Sequence, residues 1–319
     1  MRIQTVLAVS QSCNRTRRIR KESVVFPMIH FITTAEHAYT LKGIRKSPYR
    51  RFPVACRTYN WLFRQRRIVA SACIFTDLDR LRYFELAEAA KVYRRLRDAG
   101  VRVFNDPARV LLRFDLLSTL QRLGINDYRV YPAAQRPRPE RFPVFLKCEE
   151  GHSQHFDRLL EDQEALDACL DEVQAAGVPL TRMLVTEFAN TPVRDGVYRR
   201  HTIYRVGDVM LPGNSVLEGS PFVKYGQRGL STDAEFEEIV AEMASNPYAE
   251  RLRPAFEAAG IDYGRADFGF RDGRLAVYEI NTNPSIGLKG GSRHEGFNAA
   301  VDRGLRALIE TLGEIGGEP

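Results

Sequence analysis

Asp267, Glu279 and Asn281 have the residue types and spacing of a magnesium site. Mg2+ takes one or two carboxylates and completes its octahedron with phosphate oxygens and water. The segments that carry the three residues, 265–270 and 275–281, flank Asp272-Gly273, a strong hairpin turn. Register decides whether they meet. If Arg271 pairs with Arg274 around a two-residue turn, Asp267 faces Tyr278 and Glu279 points to the other side. One added residue sets Asp267 opposite Glu279, with Asn281 two along on the same face. A three-residue loop or a bulge is therefore expected. Asparagine is a poor strand former, so Asn281 implies a use for its amide. An acidic Asp-Gly hairpin on an ordinary surface is the alternative.

Lys147 ends the apolar run Pro143–Leu146, where a lysine is costly to bury without an anionic partner. A strand-end lysine reaching out to solvent is the alternative. The loop that follows holds Gly151, whose backbone amides could cradle phosphate. His152 and His155 have HxxH spacing with no third ligand near. Neither a P-loop sequence nor a dinucleotide glycine fingerprint is present. Ser, Cys and His form no recognisable nucleophile constellation.

The elements that must position these residues read as mixed α and β. Met28–Thr33, Ser71–Thr76 and Val101–Phe104 are short strands around a helix over Tyr83–Ala99, which suggests a small parallel sheet. Residues 45–67 are basic and aromatic and read as amphipathic helix packing. A helix follows Pro107 and closes at Gly124, and Pro-rich Tyr131–Pro143 reads as a linker or surface loop. Strands are expected at Phe142–Lys147, Arg182–Phe188, Tyr198–Val206 and Asp208–Leu211. Helices are expected at Gln163–Ala176, Ala234–Ala244, Tyr248–Ala259 and Phe297–Leu312.

Composition sets the class. The 319 residues are 44% hydrophobic, enough for one large or several medium cores, and no apolar run is long enough to span a membrane. Residues 1–27 carry an arginine cluster after a short apolar run, the wrong order for a secretory signal. They read as a disordered basic tail, with a presequence or a basic arm as alternatives. Five scattered cysteines argue for a reducing compartment, and the cytoplasm is expected. Residues 1–147 hold 30 Lys and Arg against 11 Asp and Glu, whereas the remainder holds 17 against 29. The basic half invites an anionic partner, but its arginines are spread along helices, as on a solvated face rather than a nucleic-acid groove.

Gly264-Arg265-Ala266-Asp267-Phe268-Gly269-Phe270 followed by Val277-Tyr278-Glu279-Ile280-Asn281-Thr282-Asn283-Pro284 resembles the metal-binding signature of the ATP-grasp superfamily. D-alanine–D-alanine ligase, glutathione synthetase and related carboxylate–amine ligases carry it. Asn105-Asp106-Pro107, Asp115, Gly124-Ile125 and Lys147 fall in the family's order. The resemblance implies an α/β (α+β) fold of two lobes sandwiching ATP, preceded by a small parallel-sheet domain. The corresponding limits are 1–27 for the tail, 28–105 for the first domain, 106–190 for the small-lobe region and 191–319 for the large lobe. It also implies ATP and one or two Mg2+ held by Asp267, Glu279 and Asn281. Lys147 and Lys224 would meet the phosphates, and Glu187, Phe188 and Ala189 would form the adenine hinge. Arg265 would steady a developing oxyanion. The implied reaction activates a carboxylate as an acyl phosphate and joins it to an amine. A phosphotransferase and a non-catalytic ATP-binding protein are the alternatives. Expected partners are small carboxylate and amine substrates or an acidic peptide tail, with no membrane and no nucleic acid. Two departures stand out. Leu116 follows Asp115 where the family has lysine, with Arg113 as the nearest substitute, and the loop 149–155 holds one glycine. Asp195, Arg199 and Arg200 are further ribose or substrate candidates. The loop 285–292, with Lys289, Gly290 and Gly291, would reach the second substrate.

Overall fold

The computed structural model describes residues 28–149, 158–286 and 292–317. The basic tail, the loop holding Gly151, His152 and His155, and Lys289, Gly290 and Gly291 lie outside them. The first sheet is parallel, with β1 (Ile29–Thr33), β2 (Val54–Thr58), β3 (Ala72–Phe75) and β4 (Arg102–Phe104) in the order β2-β1-β3-β4. β1 and β3 are buried at every position, as expected of strands covered on both faces. Helices α1 (Lys42–Lys46), α2 (Tyr59–Arg64) and α3 (Tyr83–Asp98) connect the strands. The stretch 45–67 is therefore not wholly helical. Its centre is β2, because Val54, Cys56 and Thr58 pair in parallel with β1.

The second sheet is antiparallel, with β5 (Val130–Pro132), β6 (Val144–Cys148) and β7 (Met183–Glu187) in the order β5-β7-β6. β5 lies inside the stretch read as a Pro-rich linker. Val144 and Leu146 face the core formed with α5 (Gln163–Ala175), so Phe145 and Lys147 fall on the opposite face.

The third sheet contains β8 (Tyr198–Val206), β9 (Val209–Pro212), β10 (Val216–Glu218), β11 (Tyr263–Arg271) and β12 (Arg274–Asn281). Its path is β10-β8-β11-β12, with β9 paired to the other end of β8. Helix α4 (Arg113–Arg122) packs on one face together with α7 (Ala249–Ala259), burying Leu116, Leu120 and Phe256 against Ile203, Phe268 and Val277. Helices α6 (Asp233–Ser245) and α8 (Glu295–Gly316) complete the molecule. Leu308, Ile309 and Leu312 of α8 pack with Phe31 and Ile74, so the last helix closes the core of the first sheet. Among the described residues no helix is long and apolar enough to cross a membrane.

His30 on β1 gives the fold a pH dependence. Its ring stacks on Trp61, whose ring also carries the Arg57 guanidinium 4.9 Å from its centroid. Burial lowers its pKa below 6.5; Arg57 adds to this, and the hydrogen bond to the Val69 carbonyl opposes it. Below pH 6.5 the unfolded chain gains a proton that the folded protein resists, so stability falls as pH falls. Urea unfolding at pH 8 and pH 5.5 is expected to show this loss, and a smaller one in His30→Gln.

Candidate active site

The hairpin turn has two residues, Asp272 and Gly273, at φ 50° and 76°, the mirror-image turn that strand twist favours. Arg271 pairs with Arg274, and Phe268 with Val277. The register then shifts between Phe268 and Asp267, leaving Tyr278 as the extra residue, so Asp267 stands opposite Glu279 and Arg265 opposite Asn281. A bulge thus sets the two carboxylates and the amide on one face of the sheet.

Two guanidiniums neutralise Asp267, which is 3% exposed. Arg265 donates from Nε to Oδ1 at 2.7 Å and from Nη2 to Oδ2 at 3.1 Å, and Arg200 on β8 donates to Oδ2. Burial by itself would lower the Arg265 pKa, but Asp267, Tyr204 and Glu279 shift it upward overall, so the side chain stays charged. Its contact here is therefore the neighbouring strand acid. Glu279, 22% exposed, accepts from Arg113 Nη2 at 2.7 Å. The same guanidinium donates from Nη1 to the Cys148 carbonyl at 2.6 Å, beside Lys147. Leu116 is buried in the α4–α7 core. Arg113, one turn earlier on the helix, is the α4 cation that reaches Glu279.

Asn281 Oδ1 accepts from the Asn283 backbone amide at 2.7 Å. The Asn283 side chain donates to Thr33 Oγ1 at 3.0 Å and to Asp77 Oδ1 at 2.9 Å, and accepts from Thr40 at 2.6 Å. Asp77 in turn accepts from Thr33 and Thr34. The carboxyl end of the first sheet therefore grips the segment after the hairpin. Asn283→Ala removes these bonds from a buried network and is expected to cost about 2–3 kcal/mol in urea unfolding.

Lys147 and Phe145 share the β6 face, with the ammonium 4.7 Å from the ring centroid. Phe145 meets Phe222 from the segment after β10, with centroids 5.7 Å apart. Lys224 follows in that segment, and its carbonyl accepts from Arg200 Nη2 at 2.6 Å. Glu187 is buried and fully engaged: it accepts from the Arg129 amide, from Tyr131 at 2.9 Å and from Arg141. Its carboxylate thus ties the end of β7 to Tyr131 and Arg141. Phe188 donates its amide to the Pro143 carbonyl and packs on Tyr198. The Ala189 carbonyl accepts from Tyr278 at 3.1 Å. Leu117, Tyr128, Leu184, Ala189 and Ala276 belong to one buried apolar cluster, with Tyr278 packed against it.

Arg199, a ribose or substrate candidate, is buried on the opposite face against Glu238 and Glu242, away from Asp267. Asp195 lies in the turn before β8, exposed. Arg200 could not be placed from the sequence, since only the β8–β11 register shows that it shares a face with Asp267.

Hard oxygen donors from Asp267, Glu279 and Asn281 on one face, with cations from several elements around them, fit Mg2+ bound with polyphosphate. Among the described residues no group of three His, Cys, Asp or Glu could hold a metal, so a third protein donor beside the two carboxylates would have to be an amide such as that of Asn281.

No protein-family model matches the chain, and no curated protein sequence matches it. Solved structures do. D-alanine–D-alanine ligase from Bacillus anthracis, complexed with ATP, is 16% identical; the match covers 91% of this chain and 97% of that one with a TM-score of 0.54. The ATP-grasp ligase PsnB, complexed with a phosphomimetic variant of minimal precursor, Mg and ADP, is also 16% identical; the match covers 95% and 99% with a TM-score of 0.51. The chain has the ATP-grasp fold.

Proposed function

We propose that the protein is an Mg-ATP-dependent ligase that activates a carboxylate as an acyl phosphate and passes the acyl group to an amine or similar nucleophile. The bulge that places Asp267, Glu279 and Asn281 on one face carries this reading. Residues 106–190 would form the small lobe and 191–319 the large lobe, with the nucleotide between them and residues 28–105 as the preceding domain. Both structural neighbours are ATP-grasp ligases crystallised with ATP or with Mg and ADP, which supports the reading. Bound at the three oxygens, magnesium would neutralise and align the phosphates.

The chain's own residues supply the rest. Lys147 and Lys224 would meet the phosphates, Arg113 holds Glu279 in place, and the segment at Phe188 and Ala189, backed by the apolar cluster, would take the base. Phosphoryl transfer asks mainly for positioning and charge neutralisation. Arg265 lies beside the site as a cation held on Asp267, and its guanidinium would steady an oxyanion formed there. The substrate is a small carboxylate or an acidic peptide tail.

The test is incubation with Mg-ATP, hydroxylamine and a metabolite extract, with Glu279→Gln as the blank. A hydroxamate formed together with ADP supports the ligase and identifies the carboxylate. A phosphorylated metabolite without hydroxamate replaces it with a phosphotransferase. Nucleotide binding with no ADP above the blank leaves a binding protein.

A further inference from the structure

Glu218, the last residue of β10, has no part in the sequence motifs. Its Oε1 accepts three successive backbone amides, from Lys224 at 2.9 Å, Tyr225 at 2.6 Å and Gly226 at 2.7 Å. Consecutive amides converging on one oxygen form the backbone concavity that binds anions in many proteins. Here the chain supplies its own anion. Gly226, at φ 83°, completes a curvature that other residues rarely adopt. The base of the loop is also tied: Gln227 donates its amide to the Leu217 carbonyl, and its side chain accepts from Gly219 at 3.0 Å.

The Lys224 peptide is therefore held from both sides. Its N–H goes to Glu218, and its carbonyl accepts from Arg200, which also holds Asp267. A chain of contacts runs from Glu218 through Lys224 and Arg200 to the candidate metal ligand. Ordering a surface segment costs roughly 1 kcal/mol or more per residue, and hydrogen bonds to a charged acceptor are among those strong enough to offset it.

We propose that Glu218 is the positioning residue of Lys224, fixing the loop backbone so that the ammonium meets the nucleotide phosphates. This rests on the Mg-ATP reading above. The test uses the full chain and Glu218→Ala, titrated with Mg-ATP, Mg-ADP and AMP. Binding of the two polyphosphates is expected to weaken about tenfold, a loss of ~1.4 kcal/mol, while AMP binding holds. Added acetate should restore polyphosphate binding to Glu218→Ala but not to Lys224→Ala. Glu218→Gln keeps an acceptor oxygen without charge and should fall between. Equal weakening of all three nucleotides, or no rescue by acetate, overturns the proposal.

Trypsin cleavage after Lys224 needs no nucleotide. It should be slow in the wild type, faster in Glu218→Ala and slowed again by acetate. A wild type that does not bind Mg-ATP defeats the functional reading, whereas an unchanged cleavage rate defeats the clamp.

Discussion

Glu279→Gln is expected to lower ATP-dependent ADP release about a thousandfold, roughly 4 kcal/mol of transition-state stabilisation. The substitution keeps the shape of the side chain and one acceptor oxygen. Arg113, 2.7 Å away, therefore retains a partner, and unfolding stability should change by less than about 1 kcal/mol. What disappears is the negative charge that Glu279 would offer a metal. Mn2+ affinity measured by electron paramagnetic resonance should fall alongside turnover, with no loss of fold by circular dichroism. ADP release at the wild-type rate would mean that this carboxylate does not serve the metal, and the assignment of the hairpin would fail.

Gly269→Ala is expected to destabilise the protein by about 1–3 kcal/mol, the range of overpacking in a well-filled interior. A Cβ at Gly269 would lie 2.2 Å from Tyr278 Oη and 3.0 Å from its Cζ. The Tyr278 ring lies over this glycine, and its hydroxyl reaches the Ala189 carbonyl. Tyr278 is also the extra residue of the bulge. Pushing the ring aside disturbs the step that brings Asp267 opposite Glu279, so Mn2+ affinity should fall in the folded variant too. The pair should be coupled: in a Tyr278→Ala background the alanine at 269 should cost much less. Additive losses in urea unfolding would show that the close approach is not what constrains the position.

The hairpin that carries Asp267, Glu279 and Asn281 was legible in the sequence because its determinants are local. Asp272-Gly273 specifies the turn, and the period-two arrangement of strand side chains limits how Asp267 and Glu279 can meet. The alternation of short strands and glycine-stopped helices likewise showed the mixed α and β class. Three strands were missed. β2 lies in an arginine-rich stretch whose aromatics suggested a helix, and β5 has a proline at its end. β10 has only three residues. Each is short, and its pairing with β1, β7 or β8 rather than its own composition makes it a strand.

The candidate site divides along the same line. Residue types and spacing determined by themselves that Asp267, Glu279 and Asn281 could share a face and that a turn would join their strands. Whether the extra residue sits in the loop or in the strand is visible only in the folded register, which puts it at 278, where the Tyr278 ring lies over Gly269. Which carboxylate Arg113 and Arg200 reach was decided by tertiary structure. Arg113 reaches Glu279 across 166 residues and Arg200 reaches Asp267 across 67, while Asn283 reaches Asp77 across 206. Glu218 holds Lys224 through backbone amides, which every residue type other than proline provides and which therefore leave no mark in the sequence. Local patterns specify turns and faces because those depend on neighbouring side chains. Charge partners depend on which elements the core packs together, and that is settled only when the chain folds.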